Sequence, residues 1–287
     1  MALHKIPNVY SYKRSYLDKN SDRIDVLFLG NSHIYYGIDP HYTNFRTFNA
    51  SFVSQSLNFD QAILNKYSNN WSHLKCIVIP VDYFSLFSSL DNSEESWRIK
   101  NYSIYFGINS FNKNIWDRTE LLTNNFKTNL VRIYSNYIKK DSNISCNELG
   151  WGTSYNSKEK NDLNATGKAA AIRHTSSDAG LFKKNISILN DIIDFANARH
   201  VKVLFLTSPA YTTYAENLNN NQLMHTINSV VELDKKNENV MYFNLLRDKR
   251  FEEKDFYDAD HLNEIGTKKF TVIVDSLLTG LSLGNGK

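Results

Sequence analysis

The sequence predicts an α/β fold: a parallel five-stranded sheet covered by helices on both faces, forming a three-layer α/β/α sandwich with a large insertion after the third strand. Three observations predict it. Short, nearly continuous apolar runs recur along the chain and each stops at a turn, the pattern of strands buried on both faces. Helical stretches with apolar residues three and four apart lie between or after these runs. The alternation lapses in one place, between Phe84 and about Gly180.

The first run, Ile24 to Leu29, stops at Gly30-Asn31-Ser32-His33 and is the first strand. A second lies around Thr47-Phe48-Asn49-Ala50, and the following helix turns Leu57, Ile63 and Leu64 inward. The third runs from Cys76 to Val81. Leu181 to His200 places Phe182, Ile186, Leu189, Ile193 and Ala196 on one helical face and leads into the fourth strand, Val201 to Leu206. Val240 to Leu245 is the fifth, and Phe270, Ile273, Val274, Leu277, Leu278 and Leu281 form the inward stripe of a closing helix. Residues 88–180, with Trp97, Trp116 and Trp151 but few periodic runs, are expected to be an insertion or lid within a single domain spanning 1–287.

Composition narrows the function classes. With 41% hydrophobic and 22% charged residues the chain has the makings of a packed core. Its net charge of +3 comes from 33 basic and 30 acidic residues without a basic block, so nucleic acid is not an expected partner. The abundant aromatics, 17 Tyr, 17 Phe and 4 Trp, serve core packing and also suit contact with sugars or acyl chains. Cys76 and Cys146 are too few for a disulfide framework, and Cys76 opens a buried strand. No stretch reaches the roughly 18 apolar residues of a membrane span. The chain enters its fold almost at once, which raises the expectation of an anchoring or targeting segment removed from a longer parent. Histidines and cysteines lack metal-ligand spacing, and no glycine-rich phosphate loop is present, so neither a metal nor a nucleotide cofactor is expected.

In a parallel sheet, ligands bind beyond the carboxyl ends of the strands. Ser32 follows the first strand there, where a tight turn exposes its hydroxyl and leaves its amide free to donate. Near the other end of the chain, Asp258-Ala259-Asp260-His261 places an acid three residues before a histidine, between the fifth strand and the closing helix. Such an acid can curl back to hold one imidazole nitrogen while the other takes the serine proton. Asp258 is therefore the expected orienting acid, and Asp260, adjacent to His261, a solvent-facing or turn-capping residue. His33 either touches substrate or packs beside the nucleophile turn. Tyr211 and Tyr214, after the fourth strand, are placed at the pocket rim, where they either stack on substrate or pack structurally. Arg173-His174 is either an anion or sugar contact or a solvated surface pair.

These motifs, in this order, resemble those of the SGNH (GDSL-like) hydrolases, and among them the envelope-polysaccharide O-acetyltransferase and esterase branches. Gly30-Asn31-Ser32-His33 is similar to the first block, Asn49 to Ser56 to the second, and Asp258-x-x-His261 with Leu262, Asn263 and Gly266 to the last. The resemblance implies a flavodoxin-like sheet, a catalytic Ser32, Asp258 and His261, and an extracytoplasmic or cell-envelope setting. It also implies an oxyanion hole built from the amides of Ser32 and Ser54, Ser54 standing where the family has glycine. The third block departs: Ile79-Pro80-Val81-Asp82-Tyr83 lacks the family's donor Asn, and an ionised Asp82 cannot donate. The leading expectation is a serine esterase or O-acyltransferase acting on acyl, above all acetyl, esters of a carbohydrate. A carbohydrate-binding module that has lost turnover and a lipid-acyl esterase are the alternatives.

Overall fold

The computed structural model describes residues 3–108, 126–140, 144–159, 161–281 and 283. Five strands, β1 (Val26–Phe28), β2 (Thr47–Asn49), β3 (Cys76–Pro80), β4 (Lys202–Thr207) and β5 (Val240–Asn244), form one sheet in the order β2-β1-β3-β4-β5. Every pairing is parallel, with Val26 opposite both Thr47 and Cys76, Val78 opposite Leu204, and Leu204 opposite Met241. This is the flavodoxin-like order, which reverses direction at β1 and opens a crevice there at the strands' carboxyl ends.

Successive strand residues point to opposite faces, so each strand feeds two cores. Leu27, Ile77, Ile79, Val203 and Phe205 pack with α1 (Val9–Asn20), α3 (Leu57–Lys66) and α5 (Ala179–Asn197). Val26, Phe28, Val78, Leu204 and Leu206 pack on the other face, where α8 (Glu264–Gly280) supplies Phe270, Val274 and Leu278. Ile34 and Ile38 join the second core from α2 (Ser32–Gly37) and its C-cap. Both faces are covered, which is why the strands read as unbroken apolar runs.

Described parts of the segment between β3 and α5 pack against this body. Tyr102, Tyr105, Phe106 and Ile108 enter the first core, and the Tyr102 ring stacks on Phe59 at 4.1 Å. Residues 144–159 run along β2 and α2, where the Asn49 amide donates to Leu149 and the Gly152 amide to Tyr35. The helix α4 (Leu163–His174) lies against α6 (Thr212–Glu216) so closely that a Cβ on Gly167 would stand 2.5 Å from Thr213 Oγ1. Trp116 lies outside the described residues. Among those residues, no helix is long and apolar enough to cross a membrane.

The elements that escape the sequence reading include α1, α7 (Asn220–Lys236), the helices α2, α4 and α6, and a hairpin of β6 (Phe256–Asp258) with β7 (His261–Leu262). The hairpin is antiparallel, with a register shift between Phe256 and Asp258.

Candidate active site

The turn after β1 is held from several sides. Gly30 has φ +112°, and a Cβ there would stand 2.2 Å from the Pro80 ring, so only glycine fits. Its amide donates to Asp60 Oδ1 at 2.8 Å. Burial pushes the Asp60 carboxyl up to about 7 against the hydrogen bonds from Gln55 and the Gly30 amide. Asn31 caps α2: its Oδ1 accepts from the His33 amide at 2.8 Å while its Nδ2 donates to Asp82 Oδ2 at 3.0 Å. Ser32 is therefore the first residue of a helix, where backbone amides have no intrahelical acceptor.

His261 arrives from the opposite end of the chain. Asp258 Oδ1 accepts from the amides of Asp260 at 3.1 Å and His261 at 2.9 Å, which curls the loop so that both carboxylate oxygens face His261 Nδ1, at 2.9 and 3.1 Å. Asn263 braces the next residues: its Oδ1 caps α8 through the amides of Ile265 and Gly266, and its Nδ2 donates to the Lys254 and Phe256 carbonyls. The other imidazole nitrogen, Nε2, lies 2.8 Å from Ser32 Oγ. A carboxylate only accepts, so Nδ1 carries the proton and Nε2 is left to accept from the serine hydroxyl. Ser32, His261 and Asp258, with Ser32 and His261 229 positions apart, thus meet in one hydrogen-bonded chain at the carboxyl edge of the sheet.

Asp260 corrects the sequence reading. It is 2% exposed, with Oδ2 at 3.5 Å from His33 Nε2, 3.7 Å from His261 Nδ1 and 3.9 Å from Arg173 Nη2. Asp260 lies in the turn between β6 and β7, outside the strand alternation, and this turn brings it beside the same imidazole as Asp258. Burial alone would raise the Asp260 carboxyl, but His261 and His33 overcome it and hold it well below the usual carboxylate range.

His33 is likewise drawn into the interior. Its Nδ1 donates to Asp82 Oδ2 at 2.9 Å and its Nε2 faces Asp260, so both nitrogens are engaged by carboxylates rather than offered to a substrate. Asp82 also accepts from the Ser208 amide at 2.8 Å, and its carboxyl is held low by His33 against the upward push of burial. Both Asp82 oxygens thus accept hydrogen bonds from the Ser32 turn and its neighbours, and neither can donate. Ser54 has φ +59°, in the left-handed region, and follows Val53 in a turn closed by the Gln55 amide on the Phe52 carbonyl. That is the turn position which favours glycine, the residue the resemblance places there. The Phe52 amide donates to the Gly30 carbonyl, tying this turn to the Ser32 turn.

Tyr214 is a second correction. It is 1% exposed, packs with Tyr83 and Ala170, and its hydroxyl meets His174 Nδ1 at 2.9 Å, because α6 turns it inward instead of leaving it at a rim. Tyr211 is half-buried, with its ring 5.6 Å from that of Phe256. Arg173 faces Asp260, and burial pushes His174 down to about 3. The aromatic wall beside His261 is built from residues the sequence reading passed over. Tyr155 stacks between Tyr36 at 3.7 Å and Tyr257 at 3.9 Å, and the Tyr155 and Tyr36 rings meet His261 edge-on at 5.4 and 6.0 Å. Tyr36 had a readable signal, since it lies one helical turn from Ser32; Tyr155 had none.

His33, Asp260 and His261 place one potential metal-ligand atom each within 4.8 Å of one another. An ion there would have to displace hydrogen bonds that His261 already makes with Asp258 or Ser32. A small cleft lined by Gly30, Asn31, Gln55, Ser56, Asp60 and Phe84 opens beside the Ser32 turn.

Neither a family model nor a curated protein matches the sequence. Among solved structures, a Streptococcus pneumonia protein provisionally described as a platelet activating factor aligns over 94% of this chain and 91% of its own, with TM-score 0.45 and 10% identity. A Bacteroides fragilis protein provisionally described as an acylhydrolase aligns over 93% of this chain and 96% of its own, with TM-score 0.44 and 11% identity. At this level of similarity neither lends residue roles to the chain, and the assignment of its site rests on its own geometry.

Proposed function

We propose that the protein is a serine esterase or O-acyltransferase of the SGNH kind, acting on acyl esters of a carbohydrate, with acetyl as the group moved. The observation that carries this reading is the unbroken chain Ser32 Oγ–His261 Nε2, 2.8 Å, and His261 Nδ1–Asp258, 2.9 Å. His261 takes the hydroxyl proton onto Nε2 as Ser32 Oγ bonds to the acyl carbon. The proton then passes to the departing alcohol oxygen, leaving an acyl ester on Ser32. Water attacking that ester gives hydrolysis, and a sugar hydroxyl gives transfer; His261 serves as base again in either case. The amides of Ser32 and Ser54 are assigned to the oxyanion, since Asp82 has only acceptor atoms and all are engaged.

A carbohydrate acceptor or donor is supported by the Tyr36–Tyr155–Tyr257 wall beside the base, because aromatic rings suit the apolar faces of sugars. A polysaccharide of the cell envelope is the substrate class the motif resemblance favours. The test is turnover of nitrophenyl acetate, butyrate and octanoate alongside an O-acetylated oligosaccharide. Release of acetate from the oligosaccharide, with acetyl preferred among the nitrophenyl esters, is expected. Preference for octanoate would replace this reading with a lipid-acyl esterase, and no turnover of any ester would leave a binding module.

A further inference from the structure

The Ser32–His261–Asp258 chain is complete without the second set of buried charges beside it. His33, its side chain 5% exposed, bridges Asp82 at the end of β3 and Asp260 in the β6–β7 turn. Arg173 on α4 faces Asp260 from the outside, His174 stands 6.4 Å from the His33 ring, Phe84 5.4 Å, and His261 5.0 Å. Burial disfavours the cationic form of His33, yet Asp82 and Asp260 overcome it and hold the group up to about 10, so it is an imidazolium at neutral pH. His174, pushed down by burial, is neutral there.

Two carboxylates around one imidazole create a difficulty for a general base. Asp258 and Asp260 both face His261 Nδ1, and each favours the imidazolium. A base already protonated cannot take the serine proton. A cation held against Asp260 removes much of that bias while leaving the carboxylate in place. Resting on the serine-nucleophile reading above, we propose that His33 is a positioning residue: as a buried counter-charge bridging Asp82 and Asp260, it sets the field of Asp260 on His261. The pull of Asp260 on a proton at His261 is thereby offset, leaving Nε2 to take the proton from Ser32 Oγ.

Opposite signs distinguish this role from a structural one. Unit charges 3.7 Å apart in bulk water shift a titration by about 0.8 pH unit, and less polar surroundings enlarge the effect. The readout is the second-order rate of Ser32 modification by a fluorophosphonate, measured on the full chain from pH 5 to 9, which needs no knowledge of the substrate. Asp260→Asn should move the acid limb of that profile down by about one pH unit. His33→Gln should move it up by a similar amount, and the double variant should return it close to wild type. Arg173→Gln, whose side chain is 62% exposed, should move it up by less. A purely structural role lowers the rate at every pH without moving the limb. Coincident limbs, or shifts of the same sign for His33→Gln and Asp260→Asn, overturn the inference. Should His33→Gln fail to fold by thermal melting, the signs for Arg173→Gln and Asp260→Asn decide. A wild-type protein unmodified at Ser32 at every pH overturns the serine-nucleophile reading and takes this inference with it, whereas modification with unmoved limbs defeats the inference alone.

Discussion

Replacing Asp258 by Asn preserves shape and removes one charge. Two backbone amides, of Asp260 and His261, hold Oδ1 in place, so the Asn oxygen keeps that position and its Nδ2 falls at the Oδ2 site, 3.1 Å from His261 Nδ1. The retained oxygen still lies 2.9 Å from Nδ1, but Nδ2 brings a competing donor to that nitrogen, which favours moving the proton to Nε2, where it would point at the serine, and the negative charge that stabilises the imidazolium is lost. In a serine protease the equivalent change costs about 10⁴ in rate. Here a second carboxylate, Asp260 Oδ2, stands 3.7 Å from Nδ1. Its attraction for an imidazolium is about 1 kcal/mol in bulk water and about 4 kcal/mol at the effective dielectric of a protein site. Retaining the lower part of that range rescues a factor of about 10 to 100. Asp258→Asn should accordingly lower kcat/KM for nitrophenyl acetate by about 10² to 10³, and Asp258→Asn combined with Asp260→Asn by about 10⁴ or more. Steady-state kinetics at pH 8 on variants of unchanged melting temperature measure both. A loss of 10⁴ in the single variant with no further loss in the double would refute the compensating role of Asp260.

Ser32→Ala and His261→Ala should each reduce esterase turnover by several orders of magnitude, with the double variant scarcely worse, because members of such a unit fail together; additive losses would separate them into independent sites. Ser54→Gly should relieve the left-handed backbone at φ +59° and stabilise the fold by about 0.5 to 1 kcal/mol in urea unfolding. Destabilisation would mean that the Ser54 side chain matters more than its backbone. The His33 group is raised from 6.5 to about 10 by folding, so its contribution to stability is complete below about pH 6.5 and disappears as pH rises through 10. The melting-temperature deficit of His33→Gln should therefore be largest near pH 6 and shrink toward pH 10; a deficit that grows with pH contradicts a buried imidazolium.

Much of the sheet is legible in the sequence because burial on both faces forces each strand to be apolar throughout, as in Cys76-Ile77-Val78-Ile79. The ends of those runs locate Ser32 and the Asp258–His261 turn. Helix α1 is hidden because its inward face includes Lys13, whose ammonium is buried, donates to the Ser51 carbonyl at 2.6 Å and is pushed down to about 7 by that burial. A lysine at a core position breaks the apolar period that would have marked the helix. Asp260 is misread for a different reason. Residues adjacent in a regular strand point apart, but Asp260 lies in the turn between β6 and β7, where that alternation does not hold and its side chain comes beside the imidazole of His261. Tyr214 follows a strand end and so reads as a rim residue, yet α6 rotates it into contact with Tyr83 and Ala170. Tyr155 sits in a segment without periodicity, and only tertiary stacking between Tyr36 and Tyr257 gives it a place.

The most direct test of the central claim is the site of covalent capture. The full chain is treated with a fluorophosphonate at pH 8, digested, and the adduct located by mass spectrometry. A single adduct on Ser32, lost in His261→Ala and strongly slowed in Asp258→Asn, is the result this account predicts. An unmodified Ser32 in folded protein, or an adduct on another serine that survives His261→Ala, contradicts it.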